Sequence, residues 1–95
     1  MSYEAVSWAM AQQVGKSSTK FVLVAMAHCV NAESGDMVCW PSAKHLAEIT
    51  GQDVKTIETS VVRLREAGWI VDTGSRRGMT GQVIVYRLKK KKNGG

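Results

Sequence analysis

Lys55, Thr59 and Arg63 recur every fourth residue, so a helix would line them along one face with Thr56 at its edge. Their chemistry is donation. Ammonium and guanidinium groups bind oxyanions, and Lys or Thr can also hydrogen-bond the edges of nucleic-acid bases. Farther along, Arg76 and Arg77 stand inside Gly74-Ser75-Arg76-Arg77-Gly78-Met79-Thr80-Gly81, where glycine lets a backbone approach a ligand closely. The chain carries a formal charge of +5, unevenly distributed. Residues 1–68 hold six Lys and Arg against seven Asp and Glu, a net of −1, whereas residues 69–95 hold seven against one, a net of +6. A polyanion met chiefly through the C-terminal third fits that split. For Lys89 to Lys92, a solubilising tail fits equally well.

Other chemistries fail on spacing. Gly15-Lys16-Ser17 matches the end of a phosphate-binding P-loop, but residue 10 is Met where that motif requires Gly, and a helical pattern precedes it instead of a strand. Gly74, Gly78 and Gly81 lack the dinucleotide spacing. Cys29 and Cys39 fit no metal-ligand pattern and read as reduced thiols packed as small hydrophobes; a zinc site would need His28 or His45 to converge on them. His28 itself reads as a satisfied, partly buried helix residue. The carboxylates are scattered. The expectation is a non-enzyme with no cofactor and no metal.

Ninety-five residues with 44% hydrophobic content allow one core and leave little room for a second. No apolar run approaches the ~18–20 residues of a membrane span. The richest, residues 21–27, also lacks a secretion-signal flank. A cytoplasmic protein without a membrane partner is the default expectation.

The elements that would position the basic residues follow from periodicity. Residues 3–14 read as an amphipathic helix with Tyr3, Val6, Met10 and Val14 on one face. Residues 19–31 read as a central helix, apolar almost all round. Residues 37–40 read as a short strand stopped by Pro41, and Ser42 caps a third helix that turns Leu46, Ala47 and Ile49 inward. Thr50-Gly51-Gln52 is a tight turn. Asp53 then caps a fourth helix through its side-chain oxygen; this helix buries Ile57, Val61 and Leu64, runs to Ala67 and is stopped by Gly68. Residues 69–73 and 82–88 read as strands, with residues 74–81 a basic loop between them. The fold class is therefore mainly α with a small β-hairpin (α+β), in the order α-α-β-α-α-β-loop-β. One domain over residues 1–88 is followed by a basic tail, 89–95.

Ala47, Gly51 and Ile57 stand where a helix-turn-helix needs a small residue at the crossing, a turn glycine and a β-branched docking residue. Further matching segments are Val22-Leu23-Val24-Ala25-Met26-Ala27, Cys39-Trp40-Pro41-Ser42, Leu46-Ala47-Glu48-Ile49-Thr50-Gly51, Thr56-Ile57, Leu64-Arg65-Glu66-Ala67-Gly68-Trp69-Ile70 and Tyr86-Arg87-Leu88. Over roughly residues 19–88 the sequence resembles the winged helix-turn-helix domains of phage and plasmid replication proteins and related bacterial regulators. It departs from them at Gln52, usually apolar, and in a less basic fourth helix. The resemblance implies sequence-specific binding of double-stranded DNA in replication initiation or transcription regulation. The fourth helix would be the recognition helix, with the loop around Arg76 and Arg77 the wing. The expected DNA contacts are Lys55, Thr56, Thr59, Arg63, Arg76 and Arg77, with Ser42, Lys44, Lys89 and Lys90 as further phosphate contacts. A homodimer through the first helix and a replication or transcription partner protein stay open, with Trp8 either at that interface or in the core. The alternative is a winged-helix module that docks a protein without touching DNA.

Overall fold

The computed structural model describes residues 3–31, 37–78 and 80–89. Four helices and a three-stranded antiparallel sheet follow one another as α1 (Tyr3–Ala11), α2 (Ser17–His28), β1 (Val38–Cys39), α3 (Ala43–Thr50), α4 (Val54–Glu66), β2 (Ile70–Arg77) and β3 (Val83–Leu88). The chain is thus a small α+β fold. Lys90, expected as a phosphate contact, lies outside the described residues.

The core is built around α2, which packs against α1, α3 and α4. Leu23 and Met26 of α2 meet Leu46, Ile57, Leu64, Ile70 and Cys39, all nearly or fully buried. One polar contact crosses this interior: Thr19 of α2 and Ser60 of α4 are both buried and share a hydrogen bond of 3.4 Å. Two small hydroxyl side chains let the helices approach closely and satisfy each other.

The first helix turns a different face inward from the one its large apolar residues mark. Ala5 and Ala9 are fully buried, whereas Tyr3 is 86% exposed and Met10 58% exposed. Alanine at those two places admits a close approach to α2; Tyr3 and Met10 are left on the outside, while Val6 and Trp8 pack at the edge of the core. The helix also ends three residues earlier than residue 14. Trp8 is half-buried against the core, edge-on to Trp69 with ring centroids 6.1 Å apart. Phe21 and Ile49 likewise face outward, and His28 is exposed where partial burial was expected.

The α3–α4 unit closes as its residue types dictate. Ser42 Oγ accepts the His45 N–H at 3.0 Å, capping α3. Gly51 ends that helix at φ 73°, a conformation costly for any residue with a Cβ. Gln52 stands where an apolar residue is usual; its Nε2 donates to the Ser18 carbonyl at 3.4 Å, tying the turn to the start of α2, while its buried Oε1 has no partner among the described residues. Asp53 stands at the N-cap of α4, but its side chain caps no backbone N–H; its carboxylate accepts the Thr56 hydroxyl instead. After α4, the Trp69 N–H reaches back to the Leu64 carbonyl at 2.9 Å, which turns the chain into β2.

The sheet order is β1-β3-β2. β2 pairs with β3 from Ile70↔Leu88 to Asp72↔Tyr86, then resumes at Arg76↔Ile84 and Arg77↔Val83. Four steps along β2 therefore match two along β3, a bulge spanning Thr73, Gly74 and Ser75. Thr73 Oγ1 anchors it on the Val85 carbonyl at 2.8 Å, and Gly74 turns through φ 88° with its N–H on Asp72 Oδ1.

Both cysteines are free thiols, Cys39 buried and Cys29 half-buried. Burial pushes the Cys39 thiol from its ordinary 9.0 up to about 12. The unfolded chain ionises Cys39 first, so this contribution to stability is intact below pH 9.0 and fades as pH rises toward 12. Unfolding free energy measured from pH 8 to 11 should fall more steeply for the wild-type chain than for Cys39→Ala. Parallel curves would show that Cys39 ionises alike in both states.

Candidate nucleic-acid interface

Along α4 each residue turns the helix by about 100°, so the buried edge formed by Ile57, Ser60 and Leu64 fixes what lies outside. Lys55, Glu58, Thr59, Val62, Arg63 and Glu66 are exposed and Thr56 is half-buried. Lys55, Thr56, Thr59 and Arg63 together line a shallow depression. Both threonines already donate within the helix, Thr59 to the Lys55 carbonyl at 3.1 Å and Thr56 to Asp53. Each is left as an acceptor on this face until that bond is exchanged.

The depression has a second wall that the sequence reading did not supply. Lys16 and Ser18, at the start of α2, line it beside Asp53 and Ser60. Lys16 is the N-cap residue of α2, with no side-chain cap and no acid in the first turn, so the unpaired N–H groups there add positive potential. In sequence the segment Gly15-Lys16-Ser17 reads as a turn with candidate N-caps for the second helix and as a failed P-loop. Its nearness to α4 is a product of tertiary packing, for which nothing in local spacing signals.

The hairpin holds its arginines differently from the expectation of an apical loop. Arg76 and Arg77 lie in β2, paired with Ile84 and Val83, because the bulge carries the strand on past Gly74. Arg76 forms a two-pronged pair with Asp72, Nη1 to Oδ1 at 3.0 Å and Nη2 to Oδ2 at 3.2 Å. The Arg77 guanidinium sits over the Trp40 ring, 4.5 Å from its centroid. Trp40, just ahead of α3, thus ties the hairpin to the α3–α4 unit. A cleft between α4 and β3, lined by Val62, Arg65, Gln82 and Tyr86 among others, separates the two cationic regions.

Charge at the base of the hairpin is coupled. The Gly74 N–H and then the Arg76 guanidinium hold the Asp72 carboxyl below its ordinary 3.8, with a smaller pull from Arg65. Burial raises the Tyr86 phenol, an effect that Arg65 opposes. Asp53 is also lowered, chiefly by the Thr56 hydroxyl. Stability from lowered carboxyls is present above 3.8 and lost only as pH falls through their lower folded values. These two carboxylates therefore stay charged through the neutral range.

Ser42, Lys44 and Lys89 are exposed. Ser42 is already engaged as a cap acceptor, which leaves its hydroxyl hydrogen to donate. Among the described residues no group of three His, Cys, Asp or Glu side chains could hold a metal. No described helix is long and apolar enough to cross a membrane.

No curated relative and no solved structure matches the chain. A family model does, over residues 16–70, from the start of α2 through α3, the Gly51 turn and α4 to the first residue of β2. That span is more than half of the sequence and contains the whole depression between α2 and α4. The chain belongs to the helix-turn-helix domain family.

Proposed function

We propose that this chain is a winged helix-turn-helix protein that binds double-stranded DNA. Its α4 lies in the major groove, and the β2–β3 hairpin serves as the wing against an adjacent minor groove or phosphate run. One observation carries the reading: the helix after the Gly51 turn, within the family match, presents Lys55, Thr59 and Arg63 on a single exposed face. Lys55 and the two threonines are assigned to base edges and Arg63 to phosphate, with Ser42, Lys44, Lys89 and Lys90 as outer phosphate contacts. Residues 1–88 act as the binding domain and 89–95 as a basic tail. In keeping with the resemblance to phage, plasmid and bacterial regulators, the role is initiation of replication or control of transcription in the cytoplasm of a prokaryotic host.

Arg76 and Arg77 are proposed as wing contacts although both are engaged within the fold. Phosphate competes with Asp72 for Arg76, and Arg77 keeps a donor edge free while its face rests on Trp40. Replacing both by Ala should weaken binding on every duplex alike and lower the log–log salt slope by about 1.8. Unchanged affinity at several salt concentrations would remove the hairpin from the interface.

A second reading rests on Val62, 49% exposed on the outer side of α4. A protein partner seated there would be captured by apolar contact, and its affinity would respond only weakly to salt. Salt dependence therefore separates the two readings.

A further inference from the structure

The DNA contacts proposed for α4 leave out two of its outward residues, Glu58 and Val62. Glu58 is exposed and forms no ion pair among the described residues. Its neighbours four residues away, Val54 and Val62, are uncharged, and Lys55, three residues before it, forms no salt bridge with it. It lies beyond the first turn, where a carboxylate would favour the helix dipole. On a face meant for a polyanion it repels. Val62 is a β-branched residue 49% exposed on α4, a choice that costs helix propensity, and with Glu58 it lines the open cleft between α4 and β3.

Resting on the DNA-binding reading above, we infer that Glu58 and Val62 are specificity-determining residues, Glu58 accepting from a cytosine amino group and Val62 packing on a thymine methyl. Cytosine presents an N4 donor in the major groove, and a carboxylate is the acceptor that matches it. Thymine presents a 5-methyl group, for which two exposed methyls make an apolar seat. The repulsion Glu58 exerts on phosphate lowers affinity for all sequences and is offset only where cytosine stands at the right position; that is discrimination by a penalty on wrong sites. Four residues along a helix advance about 6 Å, roughly two base-pair steps at ~3.4 Å. The preferred site therefore carries a cytosine and a thymine about two base pairs apart.

The test is selection from a randomised duplex library with the full chain, Glu58→Gln and Val62→Ala, followed by anisotropy titration on the selected duplex. Glutamine matches adenine, so Glu58→Gln should exchange cytosine for adenine at one position, by about tenfold. It should also bind random duplex more tightly. Replacing the contacted thymine by deoxyuracil should weaken wild-type binding about fourfold and leave Val62→Ala unaffected. Both residues are exposed, so both variants keep the fold, which a thermal melt verifies. If all three proteins bind random duplex with a steep salt dependence yet select the same site, this inference is wrong and DNA binding stands. If the wild-type chain binds no duplex at low salt, the DNA reading fails and this one with it.

Discussion

Replacing Lys55 and Arg63 together by Ala should weaken duplex binding roughly a hundredfold, at about 1–3 kcal/mol for each contact. The salt slope should fall by about 1.8, one counterion term for each lost cation. Both side chains are exposed on α4, and neither forms a salt bridge among the described residues. Their removal should therefore leave stability within about 0.5 kcal/mol of wild type. Binding loss with a normal melt is the signature of an interface. Lys55→Ala alone should also change which sequences are preferred, because Lys55 stands near the N-terminal end of α4, where base edges come within reach. Equal binding by the double variant and the wild type would move the contact surface away from α4.

The second large effect is on the fold. Ile57 is fully buried and anchors α4 to the core shared with α2 and α3. Ile57→Ala should cost about 3 kcal/mol, from lost transfer energy and the cavity left behind. Domains of this size have only about 5–15 kcal/mol in total, so the melting temperature should drop by roughly 15 °C. DNA affinity should fall at temperatures where the variant begins to unfold and recover on cooling. A shift of only a degree or two in the melt would mean that α4 is held by something other than its apolar edge.

The contrast between α4 and α1 shows which parts of this protein are legible in its sequence. In α4 the helical period of Ile57, Val61 and Leu64 marks the inward edge and exposes Lys55, Thr59 and Arg63, although it does not announce the buried Ser60. Gly51 at φ 73° and the Ser42 cap are equally local, decided within four residues of chain. In α1 the period misleads, because Ala5 and Ala9 face inward for close approach and not for apolar area. Size carries no signal there. Ile49 and Phe21 point outward for the same reason: their orientation depends on which neighbour each helix finds.

The hairpin fails differently. Gly74, Gly78 and Gly81 mark turns well, but Gly74 serves a bulge inside β2 and not the end of the strand. Only the pairing with β3 distinguishes the two. That register places Arg76 beside Asp72, four residues earlier, and Arg77 against Trp40, 37 positions away in sequence. Asp53 is legible as the start of α4 but not in its bonding, since its carboxylate accepts the Thr56 hydroxyl. Lys16 and Ser18 join the face of α4 only because α2 crosses it.

The most direct measurement is fluorescence anisotropy of a labelled random-sequence duplex titrated with the protein at two salt concentrations. Binding at micromolar affinity or tighter, with a log–log slope near −4 to −5 for about five phosphate contacts, is the predicted result. Absence of binding at low salt, or an affinity indifferent to salt, would contradict DNA as the partner and turn the exposed face of α4 into a surface for protein.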